Sequence, residues 1–405
     1  MPLSSSSRLG VKFKPESVFG TPVSASACYA LRVTGESLNY GLTTDTSKEI
    51  RSDRQTTDLV VTGAQSAGGL DFELSYAEFD PFLEAALQGT WAVFGTNGVS
   101  AVVPTSATFA ANTLTAGAAT TGINAFTNLA LGQWVKIAGS SNSAQNIWAQ
   151  VSKSVSPTAT VLTFEGTPFT GATGSGGAAV TVSSSRVSNG TTQRSFTIEK
   201  NFADVSQTLT YTGMTLDKLS LSLSSGALLT GSLDFIGKSS TQQAGSLLHA
   251  TVTASTANAV MNGVNNVANI LEGGSLLTGT YIKSLSFDLQ NNLRGQDGIG
   301  NLGNVAIASG TINLSGQLEV YFADGTLYQK FINNTSSSLS VRVNDGSLNG
   351  YVLTIPNIKY SDAKIMAGGI NQDVMVSMNF TALRDTTSGS TMIIDRAGVA
   401  VTAVS

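Results

Sequence analysis

Hydrophobic and polar residues alternate with a period of two along much of the second half of the chain, which predicts strands with one buried face. Leu219, Leu221 and Leu223 are separated by serine or other polar residues. After Ser225-Gly226 the alternation resumes through Leu229, Gly231, Leu233 and Phe235, so two strands joined by a short turn are predicted. Another strand carries Leu285, Phe287 and Leu289 on one face and Ser284, Ser286, Asp288 and Gln290 on the other. The longest run is Ile312, Leu314, Gly316, Leu318, Val320 and Phe322; it stops at Asp324-Gly325, read as a hairpin-type turn. Leu339, Val341 and Val343 follow, halted by Asp345-Gly346, and Val374, Val376, Met378, Phe380 and Ala382 close the series.

Helical periodicity is scarce. The best candidate spans 80–89, with Asp80 as cap, Pro81 at the first helical position, Gly89 as terminator and Phe82, Leu83, Ala86 and Leu87 on one face. A weaker pattern over 257–271 is interrupted by Asn and Gly, so helix and loop both stay open. Residues 97–189 shift toward Ala, Thr, Gly and Ser, with strand-like pieces at 133–138, 147–152, 160–164 and 178–183 and a flexible loop at Gly174-Ser175-Gly176-Gly177. On either side, the helix with Trp91 and the stretch Ser195-Phe196-Thr197-Ile198-Glu199 look like parts of one core. The expectation is an all-β fold with one short helix. Its core is split into 1–96 (with an N-terminal arm) and 190–385, a small β-domain is inserted at 97–189, and 386–405 forms a C-terminal arm. A tandem arrangement is the alternative.

Composition narrows the function. Charged residues are 12% of the 405, against about 25% in ordinary soluble domains. A surface largely covered by neighbours suits that balance, although secreted β-rich adhesins share it. The net charge of −4 argues against a surface that grips phosphate backbones. Cys28 is the only cysteine and His249 the only histidine, so an intrachain disulfide, a cysteine-based zinc site and a histidine-rich metal site are all excluded. The first residues lack the apolar core of a secretory signal, and no apolar run reaches the roughly 18 residues of a membrane helix. Assembly in a cytoplasm, with no membrane insertion, is expected.

Candidate chemistry fails on context. Gly298-Ile299-Gly300-Asn301-Leu302-Gly303 has dinucleotide-loop spacing, but Asn304-Val305-Ala306-Ile307 is no opening for a helix that would meet a pyrophosphate. Gly237-Lys238-Ser239 ends like a phosphate-binding loop, yet the residues before it alternate as a strand, whose N–H groups are spent on a neighbour. His249 follows Leu247-Leu248 in a polar stretch, and no G-x-S-x-G elbow accompanies it, so an ordinary half-exposed histidine is expected. No catalytic, cofactor-binding or metal site is predicted, and the chain is not read as an enzyme.

Several segments, taken in order, resemble phage tail-tube proteins, the major tail proteins of long-tailed bacteriophages. They begin with Lys48-Glu49-Ile50-Arg51-Ser52-Asp53-Arg54-Gln55, Gly68-Gly69-Leu70-Asp71-Phe72-Glu73-Leu74-Ser75 and the helix to Trp91. Ser195-Phe196-Thr197-Ile198-Glu199-Lys200, Tyr211-Thr212-Gly213-Met214 and Asn291-Asn292-Leu293 follow. Tyr321-Phe322, Leu327-Tyr328-Gln329-Lys330-Phe331, Leu353-Thr354-Ile355-Pro356-Asn357 and Met378-Asn379-Phe380-Thr381-Ala382 complete the set. Gly132-Gln133-Trp134-Val135-Lys136-Ile137-Ala138-Gly139 resembles the small β-domain that many of these proteins carry.

The resemblance implies a β-sandwich or half-barrel core. Six subunits would form a ring, and rings would stack into a hollow tube that conducts DNA to the host without binding it specifically. Partners would be further copies, the tail terminator, the distal tail and tape-measure proteins. Lys48, Glu49, Arg51, Asp53, Arg54 and Gln55 are then candidate stacking contacts, together with arms at 1–20 and 386–405. Ser220, Ser222, Gln317 and Glu319 are lumen candidates, and the insert would decorate the outer wall. Two other readings stay open: another virion component (terminator or capsid decoration), or a glycan-binding β-protein using Trp134 and Trp148 of the insert.

Overall fold

Alternating segments distant in sequence pair edge to edge in the computed structural model, which describes residues 3–24, 27–93, 101–102, 106–117, 126–177, 180–248, 250–277 and 280–397. In chain order the main elements are β1 (Leu9–Pro15), β2 (Cys28–Leu31), β3 (Asn39–Thr46), β4 (Leu59–Glu73), α1 (Asp80–Ala86) and β5 (Ala92–Val93). After the insert come β6 (Ser185–Ser188), β7 (Ser195–Phe202), β8 (Gln207–Ser224), β9 (Thr230–Gly237) and β10 (Ser239–Gln243). The chain continues through β11 (Val267–Glu272), β12 (Ile282–Gln290), β13 (Asn313–Tyr321), α2 (Thr326–Ile332) and β14 (Ser337–Asn344). It closes with β15 (Gly350–Ala367), β16 (Val374–Ala382) and β17 (Ile393–Arg396).

A wide antiparallel sheet runs in the order β3-β4-β9-β8-β12-β13-β16-β15. Two of its strands are 18 residues long, and each leaves the sheet to enter a second layer. The first half of β8 pairs with β7 and β10, and β7 continues to β1 and β2. The first half of β15 pairs with β14 and β17, and β17 continues to β6 and β5. The predicted apolar positions turn inward: Leu219, Leu221, Leu233, Phe287, Leu318 and Phe380 are all buried in one cluster. Helix α1 is enclosed by these layers. The Phe82 ring lies 4.7 Å from Phe13, 5.0 Å from Phe196 and 5.9 Å from Phe235, centroid to centroid.

Glycines inside two alternating runs have a packing reason. A Cβ on Gly316 would stand 2.4 Å from the Phe380 ring and 2.4 Å from the Ser286 carbonyl. Gly231 accommodates the Phe72 ring in the same way. Gly316→Val is therefore expected to cost about 1–3 kcal/mol by overpacking, read as a lower denaturation midpoint in urea.

Several boundaries differ from the expectation. Asp80 is the first helical residue, with Phe79 in the capping place, and its carboxylate turns to the core instead. The helix ends at Ala86, and Gln88 rather than Gly89 takes the left-handed backbone, with φ 46°. Asp324-Gly325 does not close a hairpin: the Asp324 carboxylate accepts the Thr326 N–H at 2.9 Å and opens α2. Residues 257–271 form no helix; a turn there leads into β11. Gly174–Gly177 is a strand beside Ala107–Ala110, where a Cβ on Gly176 would strike the Phe109 ring at 2.5 Å.

Between β5 and β6 lies a separate small body. One four-stranded sheet orders Trp148–Gln150, Trp134–Ala138, Thr181–Ser183 and Ala101–Val102. The other orders Val161–Thr163, Thr113–Ala116, Ala107–Ala110 and Gly174–Gly177. Phe109, Phe164, Phe169, Val135 and Val182 are buried in a core of their own. Strand β6 falls inside 97–189 yet pairs with β5 and β17 of the main body, so the separate body stops before it. Neither terminal segment is a free arm throughout its described length: β1 buries Val11 and Phe13, and β17 is wholly buried.

Candidate assembly surfaces

The wide sheet buries one face, so its other face is where alternate residues meet solvent. In register across it, Glu73, Thr230, Ser222, Ser286, Gln317, Asn379 and Asp362 form one polar row. Ser220 lies in the next row, opposite Asp288 and Ser232, and Glu319 lies in a row with Ser284 and Ser377. The four lumen candidates thus share one surface. Short side chains knit it together: Ser220 donates to Asp288 at 2.5 Å and Gln317 to Ser377 at 3.0 Å. Lys218 and Lys283 lie 3.3 and 3.7 Å from Asp288 and Glu319. Burial raises the Asp234 carboxyl above its ordinary value against the pull of Lys218, and Asp71, Asp217 and Asp288 add to the rise. The face presents hydroxyls, amides and paired charges, and a shallow depression of about 420 Å³ on it is lined by Ser220, Ser222, Ser232, Ser286, Asp71 and Asp288.

Strands β3 and β4 run beyond the sheet as a two-stranded hairpin, because β4 leaves β9 at Ser66 and keeps only β3. Leu42, Leu59, Val60 and Val61 on this arm are exposed. The candidate contacts Lys48, Glu49, Arg51, Asp53, Arg54 and Gln55 gather in its end loop. Within the loop Arg51 donates to both Asp53 oxygens, and the Gln55 N–H donates to Asp53 at 3.3 Å. The guanidinium holds the Asp53 carboxyl below the usual carboxylate range, and Arg54 takes φ 59°. Among the described residues, the outer edge of β3 and the outer edge of β15 from Lys359 to Ala367 pair with no other strand.

Trp134 and Trp148 do not lie on an open surface. Both are buried with Val352 and Ala397 in the seam between the insert and the main body. Trp148 donates its indole N–H to the Leu348 carbonyl at 3.0 Å, and the Trp134 backbone N–H donates to the Asp395 carboxylate at 3.1 Å. Arg186 bridges the seam, donating to Asp395 at 2.7 and 2.8 Å and to the Gly132 carbonyl at 3.1 Å. Two tryptophans fixed in this way offer no ring face to a sugar, which corrects the glycan-contact reading.

A buried cluster that no local pattern announced ties the last described strand to the helix. Arg396 on β17 lies 2.7 Å from Asp80, and Tyr351 donates to the other Asp80 oxygen. The Arg396 guanidinium stacks 4.8 Å over the Tyr76 ring, whose hydroxyl donates to the Ala397 carbonyl. Burial pushes the Tyr76 hydroxyl up to about 12, and burial with Asp80 lifts Tyr351 well above its ordinary value. Another deep carboxylate, Glu199, is equally committed. Burial alone would raise it, but Ser246, the Leu248 N–H and Lys12 outweigh that and hold it low.

The remaining motifs serve the fold. Gly298 to Gly303 is the loop between Arg294–Gln296 and Ala306–Ala308, with no helix at its end. Lys238 stands between β9 and β10 and donates its backbone N–H to Thr212 at 2.9 Å. His249 lies outside the described residues. Among the described residues no group of three His, Cys, Asp or Glu side chains could hold a metal ion.

An open-edged sheet with one small-residue polar face and a projecting apolar arm defines a β-rich structural subunit. The family model described as phage tail tube protein matches residues 5–382, and the chain belongs to that family. It is therefore a structural component of a phage tail. No curated protein matches it.

Proposed function

We propose that six copies close into a ring, that rings stack into a hollow tube, and that the tube conducts viral DNA to the host in a phage with a long, non-contractile tail. The observation that carries this reading is the wide sheet with open edges on both sides. An open edge is an association hazard for a lone subunit, and pairing β3 of one copy with β15 of the next satisfies both edges at once. Such contacts are heterologous, so rotation closes the ring while axial stacking stays open-ended. The polar face then lines the lumen. Its carboxylates Asp71 and Glu73 repel phosphates, while Lys218, Lys283 and Lys364 are paired with Asp288, Glu319 and Asp362.

In the same reading the insert stands on the outer wall, and the terminator, distal tail and tape-measure proteins cap or fill the tube. Assembly takes place in the host cytoplasm. Negative-stain electron microscopy of concentrated protein tests the proposal. Regular tubes of stacked rings are expected; rings that never elongate point to a terminator, and protein that forms neither with the intact tail's initiating proteins present overturns it. Replacing both Arg51 and Arg54 by alanine is expected to shorten tubes severely while leaving the thermal midpoint unchanged, since the loop is exposed.

A further inference from the structure

We infer that Lys136 of the insert and Asn349 of the main body become joined by an isopeptide bond across the seam, the lysine Nζ displacing the asparagine amide nitrogen. The inference stands apart from how copies assemble. Lys136 lies on the insert strand Trp134–Ala138, and Asn349 ends the loop between β14 and β15. The Lys136 Nζ donates to the Asn349 Oδ1 at 2.9 Å and to the Ser347 carbonyl at 2.8 Å. The amine thus sits beside an oxygen that is one covalent bond from Cγ, the carbon under attack. On the other side of the same amide, the Asn349 Nδ2 donates to Asp345 at 3.2 Å. Nucleophile, electrophile and a carboxylate on the leaving nitrogen meet at one point.

The lysine's partners suit this chemistry. Lys12, Lys200, Lys218, Lys283 and Lys330 each face a carboxylate. Lys136 instead donates to two neutral oxygens. A carboxylate partner holds an ammonium charged, whereas a carbonyl partner leaves it freer to lose its proton. Burial pushes the Lys136 ammonium below its ordinary value, against the pull of Asp345. The neutral amine, the attacking form, is correspondingly more available. The placement is also rigid. The Asp345 carboxylate accepts the backbone N–H groups of Ser347 and Asn349, both at 2.8 Å, and Leu348 between them takes φ 60°. Trp148, opposite Lys136 in the insert sheet, donates its indole N–H to the Leu348 carbonyl at 3.0 Å. Strand and loop are locked to each other, and groups held in reacting contact gain orders of magnitude in rate.

The step balances without a co-reactant. The ammonium first gives a proton to water, and the lone pair of the neutral Nζ adds to Cγ. The Nζ–Cγ bond forms, the Cγ–Nδ2 bond breaks, and the electron pair of the broken bond leaves with the nitrogen. Asp345 takes a proton from the Nζ side and delivers it to Nδ2, which departs as ammonia. Nothing is oxidised or reduced. The product ties together residues 213 positions apart. The insert then stays attached to the main body even when the seam opens, and the closed loop restricts the unfolded chain as a disulfide does.

Mass spectrometry of the purified full chain tests the assignment. The intact protein is expected to be one ammonia lighter than its sequence, and a tryptic digest to contain a branched peptide joining Lys136 to Asn349. Cleavage after Lys136 is lost at the same time. Full mass with linear Lys136 and Asn349 peptides, after prolonged incubation of the folded protein, overturns the inference. So does ammonia loss with Lys136 unmodified, because Asn349-Gly350 can cyclise on its own backbone and give the same mass. Lys136→Arg keeps the positive charge and is expected to retain full mass; ammonia loss at Asn349 in that variant also counts against the bond. Asp345→Asn keeps an acceptor for the two backbone N–H groups and removes the proton carrier. It is expected to slow linkage about a hundredfold or more, and linkage at the wild-type rate overturns the role given to the carboxylate.

Discussion

Arg396→Ala is expected to lower stability by about 3–5 kcal/mol, because it strands the Asp80 carboxylate in the core. Both partners are almost wholly buried, at 3% and 2% side-chain exposure, and Asp80 also holds the Tyr351 hydroxyl. The cost is that of an uncompensated charge and not of the pair as such. Asp80→Asn on the Arg396→Ala background should therefore recover much of the loss. Denaturation midpoints of the wild type, the single variant and the double variant measure this, and a double variant no better than the single would contradict it. The strand β17 should also become accessible to limited proteolysis in the single variant, since Arg396 and Asp395 both anchor it.

Trp148→Ala is expected to cost about 3–5 kcal/mol, the range for emptying a buried large aromatic site. Its effect should be local. The side chain fills the seam with Trp134, Val352 and Ala397 and donates to Leu348, while the insert has its own core built on Phe109, Phe164 and Phe169. Undocking of the insert should therefore precede loss of the main sheet. Hydrogen exchange is expected to rise first at Trp134, whose backbone N–H donates to Asp395 across the seam, with β12 and β13 still protected. Simultaneous loss of protection in both bodies would show that the seam is not a separable unit.

Much of the wide sheet was legible in the sequence because a half-buried strand writes its burial as alternation. Leu285, Phe287 and Leu289 illustrate this: their serine and aspartate neighbours mark the polar face before any partner is known. The misreadings share a cause. Asp324-Gly325 is good hairpin chemistry, but an aspartate two residues before an N–H serves a helix start equally well; the Leu327 and Phe331 spacing was the available sign of α2. The glycines of Gly174–Gly177 suggested flexibility, whereas the missing side chains make room for Phe109. Tryptophans in a polar insert suggested a sugar site, and only the neighbouring body reveals the seam they fill. The Asp80–Arg396 pair joins residues 316 positions apart, and no local pattern encodes a contact of that range. The arm tip was legible as a charged loop, while its apolar stem required the register.

The position of β17 carries a consequence for the life of the protein on the ribosome. This strand is inserted between β6 and β15, and it supplies Arg396 and Asp395 to two separate parts of the molecule. A nascent chain cannot close its core until synthesis has passed residue 397. Until then Asp80 and Arg186 wait for partners, and the second layer lacks a central member. Interrupted translation products therefore stay incomplete in their interior, even when the polar face and the arm have already emerged. Subunits that can polymerise through exposed edges are dangerous when half made, and a chain interrupted before β17 already carries both free edges of the wide sheet, on β3 and β15, over an unfinished interior.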